Sequence, residues 1–414
     1  MKLNWKKLAA GVMSATMALS AFATTASVVS AAEETLVVSA AGVADYVKEN
    51  IADFEKAHNV KVEVLDADMF EKLDGLALDG PAGTAPDILI APYDRIGSLG
   101  KTGQIAEVTL LEEAGYDDTD KQQVTADGKI FGAPAVIETL VMFYNKDLLP
   151  EAPKTFEELA ELSKDDKYKF DGEEGKNIAF LTQWTNFYFA YGLYAGFGGY
   201  IFGENGTNPS DIGLNNEGSI EAIKYATEWY KNVWPKGMLD TTSSGQFISQ
   251  SFTEGKTAAI VTGPWEAAAF KDAGVNFGVA KIPTLPGDKE YAPFAGGKGW
   301  TISNYSTKKE LAQKFIDWVS SEEQQTKLYE KLGEVPANQA ARKKAAEGDS
   351  ELTKAVIEVY ANAVPMPNIP EMAEVWPGAE NLMFDAASGS KTPEESANAA
   401  VELIKQSIEQ KHGN

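Results

Sequence analysis

Apolar and polar positions along the chain recur at two periods, and the period separates strand from helix. Thr35–Ala40 (TLVVSA) is a short apolar run and predicts a buried strand. Val43, Val47, Ile51 and Phe54 then recur at helical spacing in an Asp/Glu/Lys background. Val60 to Val64 alternates strictly and predicts a second strand. The Gly/Pro-rich stretch Asp79-Gly80-Pro81-Ala82-Gly83 predicts a loop before an apolar strand, Asp87–Ala91. This order suggests an α/β fold, a mostly parallel sheet covered by helices. Ligands bind such sheets outside the carboxyl ends of the strands. Those ends are Ser39–Gly42, Asp66–Asp68 and Pro92–Arg95.

Later segments keep the style. Val136–Tyr144 and Ala258–Thr262 read as strands, as does Phe277–Ile282, closed by Pro283. Pro153–Ser163 reads as a helix capped by Thr155, with Glu158 three residues on in a capping-box pattern. Ser219–Trp234, Glu310–Leu332 (as one long amphipathic helix) and Ser396–Lys411 complete the expected helices. Ahead of them all, Lys2, Lys6 and Lys7 precede the apolar or small residues Leu8–Ala23. Ser30-Ala31-Ala32 then offers small residues for cleavage, so residues 1–32 read as a signal peptide.

At 414 residues, two large lobes are the natural expectation. The net charge of −24 argues against nucleic acid and against an anionic membrane surface as partners. There is no cysteine, which removes disulfides, thiol nucleophiles, Cys-ligated metals and lipid attachment through a Cys. His58 and His412 are the two histidines, too few for a multi-His metal site and poorly placed for a Ser–His–Asp triad. Gly255-Lys256-Thr257 lacks the upstream glycine of a phosphate-binding loop. No cofactor is expected.

The aromatic residues and a few carboxylates carry more. Trp184, Phe187, Tyr188, Phe189, Tyr191, Tyr194, Phe197, Tyr200 and Phe202 crowd one short segment. A core helix accounts for most of them, but they occupy several faces. Trp265 follows Gly263-Pro264 directly after a strand, at the expected mouth of a sheet. Trp376 lies between Pro370 and Pro377, on an expected exposed turn. Ordinary packing is the alternative for each. Asp94-Arg95 is either a surface ion pair or an acceptor and donor at a sheet mouth. Glu138, inside the apolar run Pro134–Met142, must lie at a strand end or be paired, because burying it alone is costly. Rings interspersed with carboxylates suit a sugar: the C–H face of a pyranose lies on a ring, and its hydroxyls donate to carboxylates.

The segments Pro86-Asp87-Ile88 through Asp94-Arg95, Phe143-Tyr144-Asn145-Lys146-Asp147-Leu148, Phe252-Thr253-Glu254-Gly255-Lys256-Thr257-Ala258, Gly263-Pro264-Trp265 and Met366-Pro367-Asn368-Ile369-Pro370 add a family likeness. In them the chain resembles bacterial extracellular solute-binding proteins of the maltose/maltodextrin-binding family, components of ABC importers. The resemblance implies a periplasmic-binding-protein-like fold of two α/β lobes with a hinged cleft. It places the lobes at 33–138 plus 296–337 and at 139–295 plus 338–414. It implies a monomeric, exported receptor, periplasmic or at the cell surface, that closes on maltodextrin and meets a membrane permease.

Carried over by position, Glu71, Asp94, Arg95 and Glu138 resemble hydroxyl-binding groups, and Tyr188, Trp265 and Trp376 resemble stacking platforms with Met366 beside them. The chain departs from the family at Ala41-Gly42, Ala91, Asn186 and Glu380, and Trp184 is expected to replace a lost ring. Three readings stay open: this receptor or one for a different oligosaccharide, a secreted glycoside hydrolase, and a binding protein for a non-sugar ligand such as a polyamine or a metal ion, the last disfavoured by the two poorly placed histidines.

Overall fold

The computed structural model describes residues 34–413; the signal-peptide reading over residues 1–32 lies outside them. Two sheets organise the chain. The first runs in the order Val364–Pro365, Phe294–Ile302, Ile88–Pro92, Glu34–Ser39, Val60–Leu65, with Ala133–Glu138 also paired to Phe294–Ile302. Glu34–Ser39 is parallel to both Val60–Leu65 and Ile88–Pro92. Phe294–Ile302 is antiparallel to Ile88–Pro92 and to Ala133–Glu138. Successive strand residues point to opposite faces. Ile88 and Ile90 enter a core with Phe54 and Phe315, while Leu89 and Ala91 enter another with Leu73 and Ile96. Both faces are therefore covered, which is why this strand is continuously apolar.

The second sheet runs Phe277–Ala280, Val141–Asn145, Ala259–Thr262, Phe180–Thr182. The α/β, two-lobe architecture is as expected. The sheet itself is mixed rather than mostly parallel: Ala259–Thr262 is parallel to Phe180–Thr182, and the other two pairs are antiparallel. The chain enters it directly from the first sheet, through Thr139 and Leu140, with no crossover helix to impose a parallel pairing. The expected single strand Val136–Tyr144 is thus two strands in two sheets.

Other differences are local. The expected loop at 79–83 is the last turn of helix Met69–Ala82, capped by Asp68 and closed by Gly83 at φ 75°. Gly80 holds that turn against a neighbour, since a Cβ there would sit 2.1 Å from the Tyr305 ring. Glu310–Leu332 is two helices, Lys309–Ser320 and Glu322–Leu332. Ser321 turns extended between them, and its hydroxyl accepts from the Gln324 N–H as a new N-cap. The 43–54 pattern likewise divides at Ile51. Thr155 caps helix Phe156–Leu162, but the Glu158 carboxylate accepts from the Lys154 N–H, so the box is not closed on Thr155 itself.

Candidate functional site

Tyr188 is set by a cap. The Asn186 side chain accepts from the Tyr188 N–H at 3.0 Å and starts helix Phe187–Gly196. Trp265 is set by its neighbour Gly263, where a Cβ would lie 2.0 Å from the indole. The indole packs on that backbone and stays 48% exposed. Tyr188 and Trp265 have ring centroids 6.3 Å apart. Phe294, the first residue of its strand, lies 5.8 Å from Tyr188 and 6.1 Å from Trp376. One aromatic wall therefore connects Trp265, Tyr188, Phe294 and Trp376. Phe294 escaped the sequence reading because nothing in the string tells a strand-edge phenylalanine from a core one. Trp376 lies in the short helix Val375–Ala379, half-buried against Phe187 and Phe294, not on an exposed turn.

Polar groups face this wall. Burial raises the Tyr188 phenol, and the nearby Glu138 and Asp94 carboxylates raise it further. Glu138 ends its strand, as the cost of burying it required, and is paired: Lys298 Nζ lies 3.0 Å from Glu138 Oε1 and 3.1 Å from Glu334 Oε1. Burial works against the Lys298 charge, but the two carboxylates outweigh it and hold the ammonium above its usual range. Glu334 is raised, chiefly by burial, and its Oε2 is buried without a hydrogen-bond partner among the described residues. Lys298 belongs to the site and was missed. Its signal was Gly296-Gly297-Lys298-Gly299. Gly297 stands at φ 144°, and the pairing with Ala133–Glu138 slips between Lys298 and Gly299. A Cβ at Gly296 would lie 3.4 Å from the Tyr188 hydroxyl, so the glycines let the strand approach the wall.

Asp94 and Arg95 open helix Tyr93–Lys101 at the end of strand Ile88–Pro92. Asp94 keeps some surface, yet its carboxyl is set deep, and burial raises its pKa while Arg95 lowers it. Arg95 reaches Asp74 of helix Met69–Ala82. Glu71 stands on that same helix, exposed, near Lys72 and the exposed Phe70. Met366 is buried on the segment leading to Trp376. That segment is tied to the first lobe by Asn368. Its Oδ1 accepts from Gly97 N–H at 2.6 Å, and its amide donates to Gln123 O at 2.7 Å. Only glycine fits at 97, since a Cβ there would lie 2.2 Å from Asn368 O.

Trp184 is not in this group. It is fully buried within the second-lobe core, with Trp234 at 5.0 Å and Phe156 at 6.0 Å. Its indole N–H donates to the Tyr291 hydroxyl at 3.1 Å. It lies in the turn before the Asn186 cap, with its whole ring inside, so it cannot supply the lost platform. No set of three or more His, Asp and Glu side chains suited to a metal ion occurs among the described residues.

Two sheet-bearing lobes with aromatic rings and carboxylates between them define a ligand-binding receptor. The family model for bacterial extracellular solute-binding proteins matches residues 49–355, and the chain belongs to that family. Within it, the chain is 53% identical to the maltodextrin-binding protein MdxE of Bacillus subtilis (strain 168) over 89% of this chain and 88% of that protein. A Listeria monocytogenes maltose-binding protein, MalE, solved with maltose, is 59% identical with a TM-score of 0.88, over 92% of this chain and 99% of that one. MalX of Streptococcus pneumoniae, solved with maltopentaose, is 53% identical with a TM-score of 0.85, over 91% of this chain and 100% of that one.

Proposed function

We propose that this chain is an exported receptor that binds maltodextrins and hands them to the permease of an ABC importer. The carrying observation is the wall of Trp265, Tyr188 and Trp376 with Asp94, Glu138 and Lys298 beside it. Rings accept the C–H faces of glucose units, and carboxylates accept from their hydroxyls. Arg95, Glu71 and Met366 complete the proposed contact set. Lobes at 33–138 plus 296–337 and at 139–295 plus 338–414 turn about Thr139 and the start of strand Phe294–Ile302. Sugar favours the closed form through its higher affinity for it. The receptor binds without turnover and carries no cysteine for a lipid.

The names of its relatives, which bind maltose, maltodextrin or maltopentaose, support this ligand class. Calorimetric titration with maltose, maltotriose, maltotetraose and a β-linked cello-oligosaccharide tests it. Micromolar binding, about −8 kcal/mol, is expected for the α-linked series. The maltotetraose recovered after hours of incubation is expected intact. Silence on every α-glucan overturns the ligand class, and shortened product overturns the receptor in favour of a hydrolase.

A further inference from the structure

We propose that Glu374 is a positioning residue for the Trp376 platform, held in place by Lys411 and His412 of helix Pro393–His412; this rests on the maltodextrin reading above. Glu374 ends the 3-10 turn Pro370–Glu374, and helix Val375–Ala379 starts at the next residue. The backbone stays helical through the join, at φ −83° and ψ −16° for Glu374 and φ −69° and ψ −41° for Val375. The stretch therefore moves as one piece. Glu374 and Gly378 lie one turn apart and share a face, and Trp376, midway between them, stands on the other side. The first face packs on helix Pro393–His412. A Cβ at Gly378 would lie 2.2 Å from Ile404 Cγ1, and Glu374 meets Lys411 and His412 further along the same helix. The second face carries the Trp376 indole to Phe187 and Phe294.

The Glu374 carboxylate is nearly sealed from solvent, its side chain 5% exposed. Lys411 Nζ donates to its Oε2 at 2.8 Å, and His412 Nε2 lies 3.2 Å from its Oε1. An ion pair between two exposed chains would hold little. Here Lys411 is exposed and Glu374 is not, which changes the balance. Without its two partners Glu374 would be a lone buried charge, a costly state relieved by lifting the carboxylate into water. That lift carries Trp376 with it, away from the wall. The helix is a firm support. Thr392 and Glu395 close a capping box at its start, and Ala397, Ala400, Val401 and Ile404 are buried in the large core. Asn368 holds the chain ahead of the stretch to Gly97, so Glu374 supplies a hold closer to the platform itself.

The test is a double-mutant cycle. The double variant Lys411→Met, His412→Leu removes both partners and changes no residue of the wall. Its calorimetric affinity for maltotriose should fall about fivefold to tenfold, part of the roughly thirtyfold typical of losing a whole platform ring. Placed in Trp376→Ala, the same two changes should alter affinity by less than about twofold, because the ring they act through is gone. Lys411→Arg with His412→Lys keeps two cations and should bind as the parent does. Equal losses with and without Trp376, the outcome of a merely structural contact, or no loss in either background would overturn the positioning role. Amide hydrogen exchange over residues 370–379 is read without sugar. It should quicken in the Met/Leu variant and not in the Arg/Lys variant. A parent that binds no α-glucan overturns the maltodextrin reading, whereas unchanged exchange overturns the clamp, so the two failures are distinct.

Discussion

Replacing Trp184 by alanine should destabilise the protein and leave its sugar affinity alone. The indole is fully buried among Phe156, Trp229 and Trp234. Truncating a buried aromatic of this size costs about 3–5 kcal/mol, as transfer energy plus cavity. The lost Nε1–H bond to Tyr291 adds about 1 kcal/mol. It adds no more because the Tyr291 hydroxyl still donates to Phe189 O and is not orphaned. Against a total stability of about 5–15 kcal/mol, this is a large fraction. At roughly 2–4 °C per kcal/mol for a lobe of about 200 residues, the melting transition should fall by roughly 8–24 °C. Trp184→Phe keeps most of the volume and should cost roughly a third as much. The assay is a thermal melt by circular dichroism, paired with calorimetric titration of maltotriose at 15 °C, where the variant is still folded. The dissociation constant should match the parent's within about twofold. A melt within about 2 °C of the parent, together with a weakened sugar affinity, would refute the core assignment and return Trp184 to the ligand.

Three further outcomes are expected. Trp265→Ala removes a half-exposed ring, so it should weaken maltotriose binding by about 2 kcal/mol, roughly thirtyfold, with the melting temperature held; Trp376→Ala, packed on Phe187 and Phe294, should lose on both readouts. Lys298→Met leaves Glu138 and Glu334 facing each other without their cation and should cost about 2–4 kcal/mol in urea titrations at pH 7.5. That deficit should shrink at pH 4.5 as a carboxylate protonates, and a deficit independent of pH would count against the triad. Asp120 is buried, bonded to Arg342 at 2.7 Å and Tyr360 at 2.9 Å. Burial pushes its carboxyl up to about 6 despite the Arg342 guanidinium, from an ordinary 3.8. The folded state then holds the proton more tightly, so this contribution to stability is present below about pH 4 and is lost as pH rises through 6. Urea midpoints of parent and Asp120→Asn should diverge across that window and run level outside it.

The chain order of elements was legible in the hydrophobic periods, because strands and helices bury faces at different spacings. Breaks were less legible. Ser321 ends one helix and caps the next, and an amphipathic stripe continues across it without interruption. Pro81 announced a loop, but the packing of Gly80 on Tyr305 keeps the chain helical. Of the candidate site, Glu138 was forced to a strand end or a partner by the cost of burying a lone carboxylate, and it has both. Trp265 and Tyr188 were marked by Gly263-Pro264 and by the aromatic density. Lys298 and Phe294 were not, since their roles depend on a strand that reaches the site from nearly 160 residues further along than Glu138.

By itself the sequence determined the two-lobe α/β class, the exclusion of thiol chemistry and of Cys-ligated or multi-His metal sites, and the residue types a sugar site needs. Each is a property of composition or of local spacing, which the chain carries wherever it folds. Only the tertiary structure decided which aromatic rings face the opening. Trp184 and Tyr188 stand four residues apart in one aromatic stretch, yet one ring closes a core and the other borders Glu138. The difference lies in the Asn186 cap and in which neighbouring elements cover each side. Burial is a sum over distant segments, and no local pattern contains it.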